Sequence, residues 1–338
     1  MTKPRLRADG TTLEHRIVQY GVCAVLLPPV ACSLIPSATC KIRNGHSHHH
    51  QSRCQQHQGF RQMERIRNLQ PTPEIHVTEG IGSAREIAAR LAAEGHPIVV
   101  AAGGDGTVNE VVNGLAAHHL SIPDAAQHTT LGILPVGTMN VMAYEMGLPG
   151  RNLEACWDII HRGATREIDL WQANEQYFAQ LAGVGFDAEI VQQTPWEMKR
   201  RYGPLSYVMT AARILGQEAP VLSVEIEGRP PLYGSVVLLG NGRHYGGPVP
   251  VFRDASHTDG LLDVLILHQR RPLEAFQFLA ALVATGYQEC NDIDYLQVKS
   301  LKVTSQQTVP YELDGELGLN TPVEIRLAPF KLKVRAGA

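Results

Sequence analysis

A glycine-rich stretch with one carboxylate and one hydroxyl, Gly103-Gly104-Asp105-Gly106-Thr107, holds residue types that suit a phosphate group. Glycines let the backbone approach an anion closely, and a helix that begins here would offer free N–H groups and the positive end of its dipole. Asp105 adds a carboxylate from which Mg²⁺ could bridge to phosphate, and Thr107 adds a hydroxyl. The stretch lacks the Lys-Ser/Thr pair of a Walker P-loop. It predicts a phosphate site of another kind, although glycines alone would also fit a tight turn.

A second group of chemical residues is the acidic turn Asp314-Gly315-Glu316, with two carboxylates two residues apart. Phosphoryl transfer to an alcohol requires that the nucleotide charge is neutralised and that the hydroxyl proton is accepted. Two carboxylates on one turn could divide these tasks. By spacing alone, Asp-Gly-Glu is also a common hairpin turn.

The elements around the glycine stretch alternate between strand and helix. Short apolar runs predict strands, and apolar residues at helical spacing predict helices after them. A helix is expected to begin at Ser83, with Glu86 completing a capping box. The strands are predicted at residues 74–78, 98–102 and 131–134, and the second helix at 108–115. This alternation predicts a doubly wound α/β domain.

The second half of the chain has a different pattern, rich in short strands. Strands are predicted at residues 168–173, 177–182, 221–226, 236–240, 261–267, 295–303, 309–313 and 322–335, and helices at 199–215 and 273–285. This pattern predicts a second domain that is mainly an antiparallel β-sandwich.

The first part of the chain lacks this regularity. Residues 17–40 carry no charge, but Pro28, Pro29 and Pro36 argue against a membrane-spanning helix. A tract rich in His and Cys could bind a metal, although its spacing matches no paired zinc signature. We therefore interpret residues 1–72 as a disordered or non-native leader, and expect a first domain at 73–165, a second domain at 166–321 and C-terminal strands at 322–338 that could return to the first domain.

The composition is that of an ordinary globular protein. Of 338 residues, 44% are hydrophobic and 19% charged, which suffices for two domain cores. The net charge of −3 gives no electrostatic reason to expect a nucleic-acid partner. Six cysteines in a chain of this size make no disulfide framework, so we expect a reduced, cytoplasmic protein.

Two loops together resemble one known family. GGDGTVNEVVNGL at residues 103–115 and LPVGTMN at 134–140 resemble the nucleotide-binding elements of the diacylglycerol kinase and sphingosine kinase superfamily of lipid kinases. The more distant NAD kinases share the core of the first loop but not the second. Residues 182–188, 199–208 and 258–263 are similar to further family elements. The resemblance extends over residues 74–335.

The resemblance implies a kinase that transfers the γ-phosphate of ATP to a lipid hydroxyl, with Mg²⁺. In the family the acidic residues matching Glu316 and Asp314 are catalytic: Glu316 would be the general base, and Asp314 would help hold Mg²⁺ or orient the hydroxyl. Asp105 would bind the catalytic Mg²⁺. The nucleotide would contact Thr78, Gly103, Gly104, Asp105, Gly106, Thr107, Asn109, Glu110, Gly137, Thr138 and Asn140.

The resemblance also implies a structural Mg²⁺, held by the Asp259 side chain and the carbonyls of Ser256 and Leu261. A charged hairpin turn is the alternative for these residues. The lipid substrate would be met at a membrane surface by peripheral association, with residues 196–202 as a basic and aromatic contact or, alternatively, a solvated helix face. A homodimer is a further possible assembly of the protein.

The chain departs from the family pattern near its beginning. The superfamily starts with a strand and an Asn-Pro-x-x-Gly-like turn that lies against the nucleotide, whereas residues 45–52 read GHSHHHQS. We therefore expect the first strand to be missing or replaced, and a disrupted reading frame is one hypothesis. Two alternatives to a lipid kinase follow: a catalytically impaired regulator or pseudogene product, and a kinase of a soluble substrate such as NAD.

Overall fold

The computed structural model describes residues 25–27, 62–194, 198, 209–210, 219–268, 272–285 and 292–337. The strands of the first part are β1 (Val25–Leu27), β2 (Ile75–Val77), β3 (Ile98–Gly103), β4 (Thr130–Pro135), β5 (Ala164–Ile168), β6 (Trp171–Ala173), β7 (Gln176–Phe178) and β8 (Leu181–Gly185). The later strands are β9 (Leu222–Glu225), β10 (Leu232–Gly234), β11 (Val236–Gly240), β12 (Leu262–Leu267), β13 (Ile293–Val298), β14 (Ser300–Ser305), β15 (Pro310–Leu313), β16 (Glu316–Asn320), β17 (Val323–Leu327) and β18 (Leu332–Ala336). The helices are α1 (Ser83–Ala93), α2 (Asp105–His119), α3 (Val141–Glu145), α4 (Leu153–Arg162), α5 (Phe186–Gln193) and α6 (Pro272–Thr285).

The first sheet has the strand order β2-β1-β3-β4-β18-β5, and only β5 pairs antiparallel with its neighbour. Every residue of β3 and β4 is buried. A parallel strand covered on both faces needs a continuous apolar run, and both strands have one. Helices α1, α2 and α4 bury their apolar faces in the same core. The predicted α/β domain is confirmed.

The segment that we interpreted as a leader contributes to this domain. Val25–Leu27 forms β1 between β2 and β3, with Val25 opposite both Ile75 and Val100. Residues 62–67 are helical, and Met63 and Ile66 are buried in the first core. Val25–Leu27, within the apolar run of residues 17–36, thus occupies a place in the sheet, so the expectation of a missing strand is wrong, whereas that of a replaced strand stays a prediction. The tract at 45–52 lies outside the described residues, and the domain bounds stay a prediction.

The second half forms two further sheets that pack face to face. Their strand orders are β10-β9-β14-β17-β6-β7 and β13-β12-β11-β8-β15-β16. The core between them is apolar, with Trp171, Phe178 and Tyr311 as its largest fully buried side chains. Alternation of buried and exposed residues in β9 and at the beginning of β17 matches strands that have one face in a core. The predicted β-sandwich is confirmed.

Four predicted strands are each divided between two sheets in the structure. Residues 168–173 cover the end of β5 and β6, and residues 177–182 cover β7 and the beginning of β8. Residues 295–303 become β13 and β14, which belong to different sheets. Residues 322–335 become β17, which pairs with β14 and β6, and β18, which pairs with β4 and β5 of the first domain. Strand propensity does not tell which sheet a strand joins, since pairing is decided by distant partners. The predicted helix at 199–215 falls almost wholly outside the described residues.

Candidate active site

The glycine loop follows β3 and leads into α2, the order that the sequence predicts. Gly104 precedes the helix, which begins at Asp105. A β-carbon at Gly103 would overlap the side chain of Thr107, and one at Gly137 would overlap the α-carbon of Gly104. Gly137 also donates its N–H to the Gly103 carbonyl, 3.2 Å away. The two loops therefore pack backbone against backbone, and larger residues would separate them.

Asp105 connects the two loops through its carboxylate. Its Oδ2 accepts a hydrogen bond from the Asn140 N–H at 2.9 Å, and Asn140 in turn exchanges side-chain bonds with Gly137. Burial, together with the nearby Asp314 carboxylate, raises the pKa of Asp105 to about 6. Negative charge at this position is therefore unfavourable unless a cation lies close to it.

The family resemblance assigns Asn109 and Glu110 to nucleotide binding, but both side chains form hydrogen bonds with other parts of the protein. The Asn109 amide donates to the Tyr177 carbonyl at 3.1 Å and to Asp314 at 2.9 Å. The Glu110 carboxylate accepts the N–H groups of Gly82 and Ala84 at 2.9 and 3.0 Å. Asn109 thus connects the two domains, and Glu110 holds the beginning of α1.

The expected capping box of α1 is wrong. The residue before the helix is Gly82, without a side-chain cap, and Ser83 Oγ instead accepts the Glu79 N–H at 2.9 Å. The carboxylate of Glu110, from the neighbouring helix, satisfies the free N–H groups at this terminus. A cap from another helix leaves no local sequence pattern.

Thr78 is buried where β2 ends, at the same edge of the sheet as the glycine loop.

The Asp314 side chain is an acceptor for four protein donors. Its oxygens accept hydrogen bonds from the backbone of Ala179 (3.0 Å), Gln180 (2.9 Å) and Leu181 (3.0 Å) and from the amide of Asn109 (2.9 Å). Burial raises its pKa, and these donors act in the opposite direction. Because both oxygens already accept hydrogen bonds from the protein, the expected role of orienting the hydroxyl suits Asp314 better than the expected role of holding Mg²⁺.

Glu316 lies two residues further on and faces the glycine loop. A β-carbon at Gly106 would overlap Oε1 of Glu316. The residue itself is exposed, at the beginning of edge strand β16. Asp314 adopts φ 52° and Gly315 φ 83°, which turns the chain tightly enough to place a buried anchor and an exposed carboxylate so close together. The structure thus brings the glycine loop and the acidic turn to one place.

Sequence reasoning missed a second pair of acids beside this turn, Asp187 and Glu312. Both are buried, and both border the space above Gly183. Burial and the neighbouring Asp187 raise the pKa of Glu312 well above its ordinary value, and burial raises that of Asp187 to about 6. Two signals were available: Asp187 lies in the segment 182–188 that resembles a family element, and Glu312 is a carboxylate in the otherwise apolar strand Tyr311-Glu312-Leu313.

The two domains also meet through Glu145, at the end of α3. Its Oε1 accepts hydrogen bonds from the backbone N–H (2.8 Å) and the imidazole (2.7 Å) of His244 and from the Gln180 amide (3.0 Å). Burial acts to raise the Glu145 pKa, but the nearby His257 and the hydrogen bonds from His244 outweigh it, and the pKa lies below its ordinary value. The contact connects the end of α3, which follows the loop at 137–140, to the sandwich.

The proposed structural metal loop is held by protein contacts. Asp259 Oδ1 accepts the Leu261 N–H at 2.9 Å, and the hydroxyls of Ser256 and Thr258 lie 3.3 Å apart. Among the residues that the structure describes, no three His, Cys, Asp or Glu side chains are grouped as a metal site. A site made of one carboxylate and two carbonyls would not depend on such a group.

A lysine reaches the same loop from the first domain. The Lys331 ammonium lies 2.9 Å from Oδ1 of the buried Asp169 and donates to the Thr258 carbonyl at 3.3 Å. Asp169 Oδ2 accepts the Gly260 N–H at 2.7 Å. The loop therefore already has one positive charge beside it.

The other predicted membrane features are only partly described. The basic segment at 199–202 lies outside the described residues, as does most of the apolar run at 17–40. Within the parts of the chain that the structure covers, no helix is long and apolar enough to cross a bilayer.

Comparisons with known proteins agree with this architecture. A family model described as the diacylglycerol kinase catalytic domain matches residues 44–173, which begins within the segment interpreted as a leader. A second, described as the YegS C-terminal NAD kinase beta sandwich-like domain, matches residues 181–336.

Curated relatives match most of the chain. A diacylglycerol kinase of Bacillus subtilis is 34% identical over 254 residues, which are 74% of this chain and 80% of that protein. One of Staphylococcus saprophyticus is 28% identical, over 73% and 79% of the two chains. A crystal structure from Bacillus anthracis, assigned as a diacylglycerol kinase, aligns with a TM-score of 0.64 at 26% identity and covers 79% of this chain and 87% of its own. The chain is therefore a kinase that transfers phosphate to a hydroxyl group, and it belongs to the diacylglycerol kinase family.

Proposed function

We propose that the protein is an ATP- and Mg²⁺-dependent kinase whose acceptor is the hydroxyl of a lipid alcohol, diacylglycerol-like or sphingoid-like. The observation that carries this proposal is the position of Glu316 against Gly106, at the beginning of α2. A proton acceptor there lies beside the loop that would hold the phosphates. General-base catalysis requires such proximity between the base and the reacting hydroxyl.

The nucleotide would bind where the two loops meet. Gly103, Gly104 and Gly137 let the two loops lie close together, and a side chain on any of them would fill the space or separate the loops. The 15-residue helix α2 directs its free N–H groups and the positive end of its dipole at this place. Thr78, Thr107 and Thr138 would add hydroxyl contacts, as the family resemblance implies.

Asp105 would hold the metal ion. When bound, Mg²⁺ neutralises charge on the transferred phosphate and orients its oxygens. The site fits a cation because the half-buried Asp105 lies near the buried Asp314 carboxylate, which opposes the ionisation of Asp105. A divalent ion would relieve this repulsion and keep Asp105 charged.

Glu316 would accept the proton of the lipid hydroxyl, and Asp314 would fix the turn that carries it. Because Glu316 is exposed, an acceptor from outside the protein can reach it. A lipid acceptor would be met by peripheral association with the cytoplasmic face of a membrane. The names of the relatives, diacylglycerol kinases, support a lipid rather than a soluble acceptor.

The test is transfer from labelled ATP to vesicles that contain diacylglycerol, sphingosine, ceramide or undecaprenol. We expect one of these lipids to be labelled by the wild type and not by Glu316→Ala, with Glu324→Ala as an exposed-glutamate control. Label on NAD but on no lipid would instead indicate a kinase of a soluble substrate. No transfer by a folded protein would leave the impaired regulator as the better explanation.

We also propose that the 256–261 loop binds a structural Mg²⁺ through Asp259 and the carbonyls of Ser256 and Leu261. If so, Mg²⁺ should raise the melting temperature of the wild type but not that of Asp259→Ala. An equal rise in both proteins would mean that Mg²⁺ acts at another site, and no rise in either would mean that this loop binds no Mg²⁺.

A further inference from the structure

Two buried carboxyl groups meet beneath the catalytic turn. Asp187 lies in the first turn of α5, and Glu312 lies on β15, where it pairs with Gly183 of β8. A β-carbon at Gly183 would overlap Asp187 Oδ2 and would lie 3.0 Å from Glu312 Oε1. Asp187 is 7% exposed and Glu312 only 1%. The missing side chain at Gly183 leaves the space in which the two acids approach each other.

One oxygen of each group has a protein donor. Glu312 Oε2 accepts the Gly315 N–H at 2.7 Å, and the Asp187 carboxylate accepts the Tyr245 hydroxyl. The other two oxygens, Asp187 Oδ2 and Glu312 Oε1, have no hydrogen-bond donor among the described residues. Leaving two such acceptors buried and unpaired would cost several kcal/mol, and two negative charges would cost more.

A single proton would give the two unpaired oxygens a hydrogen bond and would remove one of the two negative charges. Buried carboxyl groups that face each other cannot both ionise at neutral pH, and a carboxyl that retains its proton becomes an O–H donor. The raised pKa values of Glu312 and Asp187 have the same physical origin, burial and, for Glu312, the adjacent Asp187. A hydrogen-bonded acid and carboxylate would satisfy both orphaned oxygens.

We infer that Asp187 and Glu312 share one proton between Oδ2 and Oε1, and that Glu312 is thereby a positioning residue for the turn that carries Glu316. The pair is tied at one end to Tyr245 and at the other to the Gly315 N–H. Gly315 separates the anchor Asp314 from Glu316. A fixed Glu312 therefore fixes the peptide from which Glu316 reaches towards Gly106. For its effect on catalysis this inference rests on the function proposed above.

The decisive comparison is between Glu312→Gln and Glu312→Ala. Glutamine has a permanent N–H for Asp187 and a carbonyl for the Gly315 N–H, so both bonds are kept. We expect Glu312→Gln to retain kcat to within about threefold. Alanine loses both bonds, and we expect kcat to fall on the order of 10²-fold. KM for ATP should change little, because the glycine loop belongs to the other domain. Glu324→Gln, on the exposed face of β17, is the matched control.

Two results would overturn the inference: full activity of Glu312→Ala, or a loss in Glu312→Gln as large as in Glu312→Ala. Because Glu312→Ala could fail to fold, infrared spectroscopy gives a second measurement. The wild type should show the carbonyl band of a buried protonated carboxyl at neutral pH, and Glu312→Gln should lack it. Absence of this band from the wild type would also overturn the inference. If the wild type phosphorylates no lipid, the proposed function fails, whereas the infrared result still decides on the pair.

Discussion

The carboxylate of Glu316 lies so close to Gly106 that a β-carbon on the glycine would overlap it. Glu316 begins edge strand β16 of the sandwich, and Gly106 lies in the first turn of α2. The contact exists only when the two domains are in place, and Asn109, which binds Asp314, lies on the same helix one turn later. The proposed phosphate loop and the proposed base are thus held in one unit.

Gly106→Ala tests this contact. Alanine favours a helix over glycine by about 1 kcal/mol, and the atom that it would displace is the end of a flexible side chain. We therefore expect the free energy of unfolding to be unchanged or higher, while Glu316 moves and phosphoryl transfer falls at least about tenfold. Chemical denaturation and kinase assays measure the two effects.

Gly80→Ala is the matched control for this variant. A β-carbon at position 80 would meet nothing within 4 Å, so both stability and transfer should remain at the wild-type level. Full activity of Gly106→Ala would show that the position of Glu316 against the loop is not needed for the reaction.

Glu316→Gln should lower kcat while nucleotide affinity stays unchanged. Glutamine keeps the size of the side chain but cannot accept the hydroxyl proton, and a lost general base lowers kcat by about 10²–10⁴-fold. Nucleotide affinity and melting temperature should stay close to those of the wild type, because Glu316 is exposed. Steady-state kinetics and calorimetric titration with a nucleotide check both parts. A variant with normal kcat would exclude Glu316 as the base.

Asp314→Asn should destabilise the fold. The amide has one acceptor oxygen and an NH₂ group, whereas four N–H donors converge on this side chain. Leaving two of these donors without an acceptor would cost about 2–4 kcal/mol. Urea denaturation should show this loss, and Asp158→Asn on the exposed face of α4 should stay within about 0.5 kcal/mol of the wild type. An unchanged stability would mean that the four contacts add little.

A buried histidine should make stability depend on pH. His119 is 2% exposed, stacks on His128 with ring centroids 4.1 Å apart and meets Phe330 edge-on. Burial, and then the neighbouring imidazoles, lower its pKa from 6.5 to about 3. The ring is therefore neutral in the folded protein down to pH values at which the unfolded chain is protonated.

The direction of the pH dependence follows from the linkage between proton binding and folding. Since the folded pKa is lowered, the stability that His119 contributes is complete above pH 6.5 and is lost as the pH falls from there towards 3. The loss amounts to about 1.4 kcal/mol for each pH unit in this window. His119→Phe keeps the aromatic packing without the titration, so its stability should fall less steeply than that of the wild type between pH 6.5 and 5. Parallel stability curves of the two proteins would contradict this.

Local sequence determined much of the fold. Continuous apolar runs in β3 and β4 indicate strands buried on both faces, and the glycines before α2 indicate a phosphate loop. These features depend on neighbouring residues and on the two periodicities of the backbone. The same locality explains why Glu316, Asp314 and Asp105 could be singled out, because their motifs are contiguous.

Only the tertiary structure decided which distant residues meet. β1 was missed because the uncharged apolar run around Val25–Leu27 gives no bounds for a strand, and its place between β2 and β3 comes from pairing. Glu110 capping α1, four donors around Asp314, and the meeting of Asp187 with Glu312 are contacts between separate elements. Sequence thus named Asp105, Asp314 and Glu316, whereas sheet register and burial decided that Asp187 and Glu312 lie beside each other at Gly183.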